Sequence, residues 1–404
     1  MLSRGSAYYG LTIFTLLNLL NYIDRYILAA VLPSMQADLS LTNSQSGLLA
    51  TAFLVTYLLT SPIFGVLGDR LSRTRLMSVG VIAWSVATAA TGFMRNFAQL
   101  LTARSCVGVG EAAYATISPA LLTDYFPREK RGRAFSIFYV AIPVGAAAGY
   151  LLGGFIEAAW GWRAAFYVVG LPGVAMALLA LTAADPPRGS TEDVVEKEAT
   201  QSLAGALRGL CTNFAYVGTV LGYVAYSFAL GGLQLWIPKF LNVVRGLELA
   251  RADSIVGVLT VVAGLSGTFV GGYLGDVVSS RTKHGQLWVS GLSSVAAIVP
   301  TWLALSVSTW PDYMVWLFIA EFLLFLSTGP VNVEIVNVVP VHARAMAMAV
   351  SIFAIHLFGD AISPPIVGWL ADLSSLARAV LIMPVAVALS GLLWAGTAAT
   401  AGRL

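Results

Sequence analysis

Twelve runs of mostly apolar residues, separated by short polar segments, are the feature that most constrains how this chain folds. A helix needs about 20 apolar residues to cross the hydrocarbon core of a membrane. Only 11% of the 404 residues are charged and the mean hydropathy is +0.80, whereas roughly a quarter of the residues of a soluble domain are charged. We therefore expect an all-α membrane protein with 12 transmembrane helices. The runs are 8–34, 45–67, 75–94, 98–125, 131–156, 162–183, 214–238, 252–275, 286–308, 312–338, 344–370 and 376–400.

One long polar stretch divides these runs into two groups of six. It contains Asp-Pro-Pro-Arg-Gly-Ser-Thr-Glu-Asp and a charged run that ends at Glu198. Its position predicts an N-terminal six-helix bundle over 1–183, a cytoplasmic linker over 184–213 and a C-terminal six-helix bundle over 214–404.

The two groups of runs repeat each other. Gly65–Asp69, after the second run, matches Gly272–Asp276 after the eighth, and Pro127–Arg131, before the fifth, matches Pro340–Arg344 before the eleventh. Each pair lies at the same point of its half. Two six-helix pseudo-repeats in a membrane chain are typical of transporters that work by alternating access.

Lysine and arginine residues indicate the orientation in the membrane, because cytoplasmic loops carry an excess of them. Most lie at the termini, in the central linker and in the loops after the second, fourth, eighth and tenth runs. Both termini are therefore expected on the cytoplasmic side. The loop with Lys239, Arg245 and Arg251 falls on the other side and is the weakest part of this argument.

Four charged residues lie well inside the first and fourth apolar runs. Asp24 and Arg25 interrupt the first run, and Arg104 and Glu111 interrupt the fourth. A charge near the middle of a membrane helix costs several kcal/mol unless it is paired or faces water, so such residues commonly mark a solute or ion path. Arg104, Gly108 and Glu111 follow the i, i+4, i+7 spacing of one helix face. A structural ion-pair network that holds helices together is the alternative interpretation.

Other classes of function lack their motifs. No lysine follows a glycine, so the chain has no phosphate-binding Gly-Lys-Ser/Thr loop of an ATP-driven pump. Gly-x-Ser-x-Gly and His-Glu-x-x-His are absent, so we expect no enzyme activity. Cys106 and Cys211 indicate neither a structural disulfide nor a metal site, and no cofactor is expected. The net charge of +3 gives no nucleic-acid signal. A passive channel is not excluded by the sequence.

The loop after the second run, Gly65-Val-Leu-Gly-Asp-Arg-Leu-Ser-Arg-Thr-Arg75, resembles the signature of the major facilitator superfamily between its second and third helices. With the twelve runs and the linker, the resemblance covers the whole chain and implies the major facilitator fold. The copy in the second half is weaker, since Val277 stands where Arg70 does. In that fold, helices one, four, seven and ten line the cavity.

A narrower resemblance is to the spinster family, whose eukaryotic members move sphingolipids and lysophospholipids. Asn21–Arg25, Arg104–Ala112 and His356–Pro365 carry it. Short loops, a high alanine content and the lack of a long N-terminal tail resemble a bacterial member.

These patterns together give candidate site residues. For proton coupling they are Glu111 and Asp24. For substrate binding they are Arg25, Arg104, Asn21, Tyr22, Tyr223, Tyr226, Gln234 and Glu321. For gating they are Asp69, Arg70, Arg73, Arg75 and Asp276, with no metal ligands.

Several of these assignments have an alternative explanation in which the residue is only structural. The segment from Asp69 to Arg75 is either a positive-inside anchor or a latch in which Asp69 caps a helix of the other half. Tyr223 and Tyr226 line a cavity or only pack. His356 is interpreted as a hydrogen-bonded packing histidine, and Glu334 as an interfacial residue. Small residues around Gly149 resemble an antiporter motif and equally favour close helix packing.

The sequence and its resemblances lead to one expected function. The chain is expected to be a proton-coupled secondary transporter of lipid-like amphipathic solutes, of the lysophospholipid or sphingolipid type. It would be a monomer among membrane lipids in a bacterial inner membrane. Arg25, Arg104 and Glu111 would form the polar end of its cavity, and aromatic residues of the second half the apolar wall. A proton-coupled multidrug or organic-anion exporter is the alternative.

Overall fold

The computed structural model describes residues 4–191, 203–340 and 343–401. All regular elements in these ranges are helices. In the first half they are α1 (Arg4–Leu39), α2 (Asn43–Arg70), α3 (Arg73–Thr91), α4 (Phe97–Tyr125), α5 (Arg128–Trp160) and α6 (Trp162–Ala180). A short helix, α7 (Leu203–Thr212), lies within the predicted linker. The charged run that ends at Glu198 lies outside the described residues.

The second half contains more, and shorter, elements. They are α8 (Phe214–Lys239), a π-helical segment (Phe240–Val244), α9 (Leu249–Ser279), α10 (Gly285–Ser306), α11 (Asp312–Phe325), α12 (Thr328–Asn337), α13 (Arg344–Ile355), a second π-helical segment (His356–Asp360), α14 (Ser363–Leu373), α15 (Leu376–Ala379) and α16 (Ile382–Ala401). Each of the twelve predicted spans coincides with helix in the described part of the chain. Three spans of this half are interrupted, which the hydropathy pattern did not indicate.

Polar caps set the beginnings of several helices. Thr42 and Gln45 form a reciprocal capping box at the start of α2, with distances of 3.1 and 3.0 Å. Asn96 accepts from the Gln99 backbone at the start of α4. Gly161, at φ +80°, separates α5 from α6 and adopts a conformation that side chains rarely allow. The short polar segments of the sequence are therefore the helix boundaries.

Nine helical segments among residues 4–191, 203–340 and 343–401 are long and apolar enough to cross a membrane. α1, α3 and α4 are not among the nine. α1 and α4 carry the four charged residues of the apolar runs, which lowers their hydropathy. The cost of these charges must be offset by the contacts that they make inside the protein.

Two compact units make up the chain. The first contains Met1–Glu196 and Leu241–Gly257, and the second contains Lys197–Phe240 and Val258–Leu404. The first turns of α9 thus belong to the first unit. The domain limits drawn from the sequence, 1–183, 184–213 and 214–404, stay a prediction.

Helix packing repeats between the units. In the first, α3 packs against α4 and α6, and in the second, α10 packs against α11 and α16. The arginines of the predicted repeat also make the same contact. Arg131 donates its Nε–H to the Thr123 carbonyl at 3.2 Å, and Arg344 donates to the Val336 carbonyl at 3.0 Å, each eight residues upstream. Both side chains therefore satisfy the carbonyl end of the preceding helix.

Candidate functional site

The four charged residues of the apolar runs come together inside the first unit. Asp24 and Arg25 lie in α1, and Arg104 and Glu111 lie in α4. Asp24, Arg104 and Glu111 are 1%, 3% and 0% exposed. The side chain of Arg25 keeps 20% of its surface accessible. Arg25 is thus the member of the cluster that a solute can reach.

The ion pairs cross between the two helices. Arg25 donates its Nε–H to Glu111 Oε2 at 2.8 Å. Arg104 Nη1 lies 3.9 Å from Asp24 Oδ1, which is too long for a hydrogen bond. Asp24 is held instead by the hydroxyl of Thr88 in α3, which donates to its Oδ2. Arg104, on the same helix as Glu111, is therefore not its hydrogen-bond partner.

Aromatic rings surround the guanidinium groups. The Arg25 guanidinium carbon is 5.1 Å from the centres of the Tyr22 and Phe53 rings and 5.2 Å from that of Tyr57. Arg104 lies 5.0 Å from the same Phe53 ring. Cation–π attraction in a dry site contributes about 2 kcal/mol. The Phe53 ring thus lies within cation–π distance of both guanidinium groups.

Gly108 is a point of close contact between α4 and α2. A Cβ at this position would lie 2.3 Å from the Phe53 carbonyl oxygen and 2.3 Å from Thr56 Oγ1. The glycine therefore lets α4 approach α2 closely, and Thr56 donates to the Ser105 carbonyl across the same contact at 3.0 Å. This approach brings the Phe53 ring next to Arg104.

Three charged groups of the cluster keep polar atoms without a hydrogen-bond partner among the described residues. They are Oδ1 of Asp24, Nε of Arg104 and Oε1 of Glu111. Buried polar atoms are nearly always paired unless a ligand, an ion or a proton completes them. Asn21, also 2% exposed, lies one turn before Arg25 on α1. The cluster has the polar capacity for a proton or an anionic group.

Sequence reasoning missed Phe53, Tyr57 and Thr88. Phe53 and Tyr57 lie four residues apart on α2 and their rings are 6.1 Å apart. No charge marks these residues in the sequence. Thr88 is one of several hydroxyl residues in α3, and only the fold shows which of them meets Asp24.

The aromatic candidates of the second unit lie together. Tyr223 and Tyr226 have ring centres 6.0 Å apart, and Tyr226 packs on Trp394 at 5.6 Å. Tyr226 is buried and donates its hydroxyl to the Leu324 carbonyl at 3.0 Å. Asn332 donates to the Tyr223 hydroxyl at 3.4 Å. These contacts tie α8 to α11, α12 and α16, and a role of either tyrosine in solute binding stays a prediction.

Glu321 and Gln234 are partly exposed. The hydroxyl of Thr260, in α9, lies 3.5 Å from Glu321 Oε1, and Oε2 has no hydrogen-bond partner in the described ranges. Glu334, interpreted from the sequence as an interfacial residue, makes a buried contact. It is 2% exposed and its Oε1 lies 2.6 Å from Nδ1 of His284. His356 hydrogen-bonds Asp360 at 2.9 Å within the second π-helical segment.

The gating candidates divide by burial. Asp69, Arg70, Arg75 and Asp276 are exposed, whereas Arg73 is 5% exposed. The exposed four lie at the ends of α2 and α9 and at the first turn of α3. Their surface position is compatible with a role in gating. No contact within their own units tests that role, so it stays a prediction.

Arg73 is an anchor where α3, α4 and the start of the predicted linker meet. It contacts Asp124 Oδ2 at 2.5 Å and Asp185 Oδ1 at 3.3 Å. The backbone N–H of Arg73 and the hydroxyl of Ser72 also donate to Asp185 Oδ2, at 2.9 and 2.8 Å. Arg188 donates to the Gly68 and Leu71 carbonyls at 2.5 and 3.0 Å. The first residues of the predicted linker are therefore fastened to α2, α3 and α4.

Comparison with known proteins agrees with this arrangement. The family model of the Major Facilitator Superfamily matches residues 14–357. Protein spinster homolog 1 of Homo sapiens is 36% identical over 396 residues, which cover 92% of this chain and 74% of the human protein. The chain belongs to the spinster family of the major facilitator superfamily. It is thus an integral, multi-pass membrane transporter and not an enzyme.

Two further spinster-family proteins show the extent of the similarity. The sphingosine-1-phosphate transporter SPNS2 of Danio rerio is 32% identical, over 94% of this chain and 82% of its own length. The crystal structure of a bacterial homolog to the human lysosomal transporter Spinster, inward-facing and occupied, matches with a TM-score of 0.87. That match covers 99% of this chain and 98% of the other at 22% identity. At this identity the structural match supports the fold alone.

Proposed function

We propose that this spinster-family chain is a proton-coupled secondary transporter of lipid-like amphipathic solutes, working by alternating access as a monomer in a bacterial inner membrane. The observation that carries the proposal is the ion pair between Arg25 and Glu111. One partner is accessible and suits an anionic headgroup. The other is fully buried and can hold a proton.

Arg25 is the proposed contact for the headgroup. Its planar guanidinium presents several donors in a geometry that matches phosphate or carboxylate oxygens. Only one hydrogen bond to Glu111 is formed, through Nε, so the terminal nitrogens remain for a solute. The rings of Tyr22, Phe53 and Tyr57 around it give apolar surface beside the charge. An amphipathic solute needs both kinds of contact.

Sharing of Arg25 would link the solute to the proton. An anionic headgroup on the terminal nitrogens of Arg25 neutralises the positive charge that compensates Glu111 and weakens their ion pair. A fully buried carboxylate without a partner is so costly that the group binds a proton instead. Solute binding then favours protonation of Glu111, and by linkage protonation favours solute binding to the same extent.

Asp24 and Arg104 form the second half of the proposed mechanism. Their charges are 3.9 Å apart and Asp24 keeps one oxygen without a hydrogen bond. Asp24 is therefore the alternative proton carrier. The Phe53 ring contacts both arginines. A displacement of Arg25 would therefore change the packing around Arg104. Two coupled carboxyls would titrate as a pair rather than separately.

The name of one relative supports the class of solute. SPNS2 of Danio rerio is named a sphingosine-1-phosphate transporter, and a phosphate on a lipid is the chemistry that Arg25 and its aromatic rings suit. We therefore place lysophospholipids and phosphorylated sphingoid lipids first. A proton-coupled exporter of drugs or organic anions is the second candidate, favoured by the same aromatic surface.

Transport by the purified protein in proteoliposomes tests this proposal. Labelled lysophospholipids, a phosphorylated sphingoid lipid and lipophilic cations are offered with and without an imposed pH gradient. We expect saturable movement of the anionic lipids that increases with the gradient. Preference for lipophilic cations would instead support the multidrug exporter. Flux that does not saturate and does not depend on the pH gradient would contradict both transporter hypotheses and indicate a channel.

A further inference from the structure

A second acidic site lies at the outer end of the first unit, away from the Arg25 cluster. Asp253, in the second turn of α9, is 0% exposed. Neither of its carboxylate oxygens has a hydrogen-bond partner among the described residues. A buried carboxylate without any hydrogen bond is among the costliest groups a protein can hold in its charged form. The proposed transport mechanism makes no use of this residue.

Close helix packing explains how Asp253 comes to be buried. A Cβ at Gly154 of α5 would lie 2.7 Å from Asp253 Oδ2 and 3.0 Å from the Ala250 Cα. A Cβ at Gly257 of α9 would lie 3.1 Å from the Ala147 carbonyl oxygen. Glycines on both helices thus let α5 and α9 approach closely along two turns, as small residues do in membranes. The carboxyl group is enclosed between the two backbones.

A second carboxyl group lies on the face of α5 that meets Asp253. It is Glu157, one turn after Gly154 on α5. Ser34 of α1 donates to Glu157 Oε1 at 2.5 Å. Of the other charges at this end, Asp38 of α1 and Arg163 of α6 pair with each other.

No cation among the described residues hydrogen-bonds the Asp253 carboxylate. Arg245 and Arg251 are the arginines that precede it in the same segment, and neither donates to its oxygens. Arg251 is exposed, and residues two apart on a helix lie on nearly opposite faces. The face of α9 that packs on α5 therefore encloses a carboxyl group whose oxygens have no hydrogen-bond donor in the described part of the chain.

We propose that Asp253 is a proton-binding site that is occupied while the first turns of α9 pack against α5. The proton removes the negative charge that the enclosed carboxylate would otherwise carry without a hydrogen bond. If the helices part, Asp253 meets water and the proton leaves. The packed arrangement binds the proton more tightly than the parted one, so lowering the pH stabilises the packed arrangement.

This site extends the proposed function, since it would tie the outer end of the transporter to the external pH independently of Glu111. Its existence does not require that any solute be transported. The test below therefore uses protein without solute, and its outcome is separate from that of the transport assays.

Spin labels measure the packing directly. Cys106 and Cys211 are first replaced by serine, and labels are placed at Ala159 of α5 and Val243 before α9, which are both exposed. Distance distributions are recorded from about pH 5 to about pH 9, a range that spans the titration of a carboxyl with shifted affinity. We expect the short-distance population to fall as the pH rises.

Three single variants and one double variant test whether Asp253 causes the pH dependence of the distances. Asp253→Asn keeps the shape of a protonated carboxyl, so the short-distance population should no longer depend on pH. Glu157→Gln removes the second carboxyl group, so the transition should move to lower pH by about one unit. Glu111→Gln is the control and should keep the transition, whereas Glu111→Gln combined with Asp253→Asn should lose it.

Infrared spectroscopy gives a second readout if the labels disturb the contact. The carbonyl band of a protonated carboxyl should be present at neutral pH and lose intensity in Asp253→Asn. An Asp253→Asn protein that keeps the full pH-dependence of the distances and the full band overturns the proposal. So does a short-distance population that is independent of pH in the unmodified protein.

Discussion

Arg25 donates its Nε–H to Glu111, a residue 86 positions away in the chain, and not to its sequence neighbour Asp24. The pair joins α1 to α4 in the interior of the first unit. Because Glu111 is fully buried and Arg25 is not, the two partners differ in what they can bind. This asymmetry is the physical basis of the predictions for coupling and for solute recognition.

Glu111→Gln should remove the response of transport to a pH gradient. Glutamine resembles the protonated acid in shape and cannot release a proton. Solute binding should be kept within about threefold, since the amide still fills the site and Arg25 is freed for the headgroup. The measurement is solute uptake into proteoliposomes at equal and unequal pH on the two sides, together with equilibrium binding.

Asp24→Asn is the matched control for Glu111→Gln. It neutralises the other buried acid, keeps its shape and leaves the Arg25 pair intact. Full pH dependence in Glu111→Gln with loss in Asp24→Asn would move the proton carrier to Asp24. Unchanged pH dependence in both variants would leave the network with a structural role only.

Arg25→Lys should lower transport of phosphate-bearing solutes by about tenfold even though the positive charge is kept. Lysine presents a point charge and cannot combine the single bond to Glu111 with a second planar contact to a headgroup. It also loses the stacking on Phe53 and Tyr57. Uptake and binding of a lysophospholipid measure the effect.

The exposed Arg95 supplies the control. Arg95→Lys keeps a surface charge and touches neither the Arg25 pair nor its aromatic rings, so uptake should stay within about twofold. An equal loss of uptake in both variants, or no loss in Arg25→Lys, would argue against a role of the Arg25 guanidinium in solute recognition.

The fold was largely predictable because membrane helices leave a direct trace in the sequence. The apolar runs predicted the twelve spans. The two Pro-x-x-x-Arg segments predicted a repeat, and Arg131 and Arg344 make the same contact in the two halves. The breaks in the second half were harder to see. The break between α11 and α12 is stabilised by buried hydroxyls, with Ser293 and Ser327 3.1 Å apart, and hydropathy does not register such contacts.

The site was predictable where charge marked it and not elsewhere. Buried charges in apolar runs pointed to Asp24, Arg25, Arg104 and Glu111, since a membrane penalises them. The partners of these charges depend on how α1 and α4 are rotated, which a single sequence does not give. Phe53 and Thr88 carry no charge, so nothing in their own residue types set them apart from the many aromatic and hydroxyl residues around them.

Arg73→Ala should destabilise the first unit markedly. Removing this side chain leaves Asp124, 7% exposed, as a buried carboxylate without its cation, which costs about 3–5 kcal/mol. Asp185 would lose its contact as well, so the start of the linker should detach from α3. Thermal unfolding in detergent and protease sensitivity after Asp185 measure both effects.

Arg75→Ala distinguishes burial from charge. It lies two residues from Arg73 and is exposed, so its loss should change stability by no more than about 0.5 kcal/mol. If both alanine variants unfold at the temperature of the unmodified protein, the Arg73 contacts contribute no net stability and the anchoring interpretation is wrong.

The orientation in the membrane predicts which loops an impermeant thiol reagent reaches. In a protein whose Cys106 and Cys211 are replaced by serine, a cysteine at Arg95 should be labelled from outside intact cells. A cysteine at Lys130 should be labelled only after the membrane is opened. Both positions are exposed. Arg95 lies just before α4 and Lys130 lies in the first turn of α5, so they stand at opposite ends of α4. The opposite labelling pattern would invert the topology that the loop charges indicate.

Asp69→Asn tests whether the segment from Asp69 to Arg75 is a latch or an anchor. Asp69 is exposed at the end of α2, so the substitution should leave insertion and folding unchanged. As a latch residue its carboxylate stabilises one of the two access states, and its loss should shift their populations and lower transport by about threefold to tenfold. Spin-label distances between the cytoplasmic ends of α2 and α10 report the populations, and uptake reports the rate. Asp276→Asn, at the matching position of the second half, is the comparison variant. If neither the populations nor uptake change in Asp69→Asn, the segment serves only to set the topology.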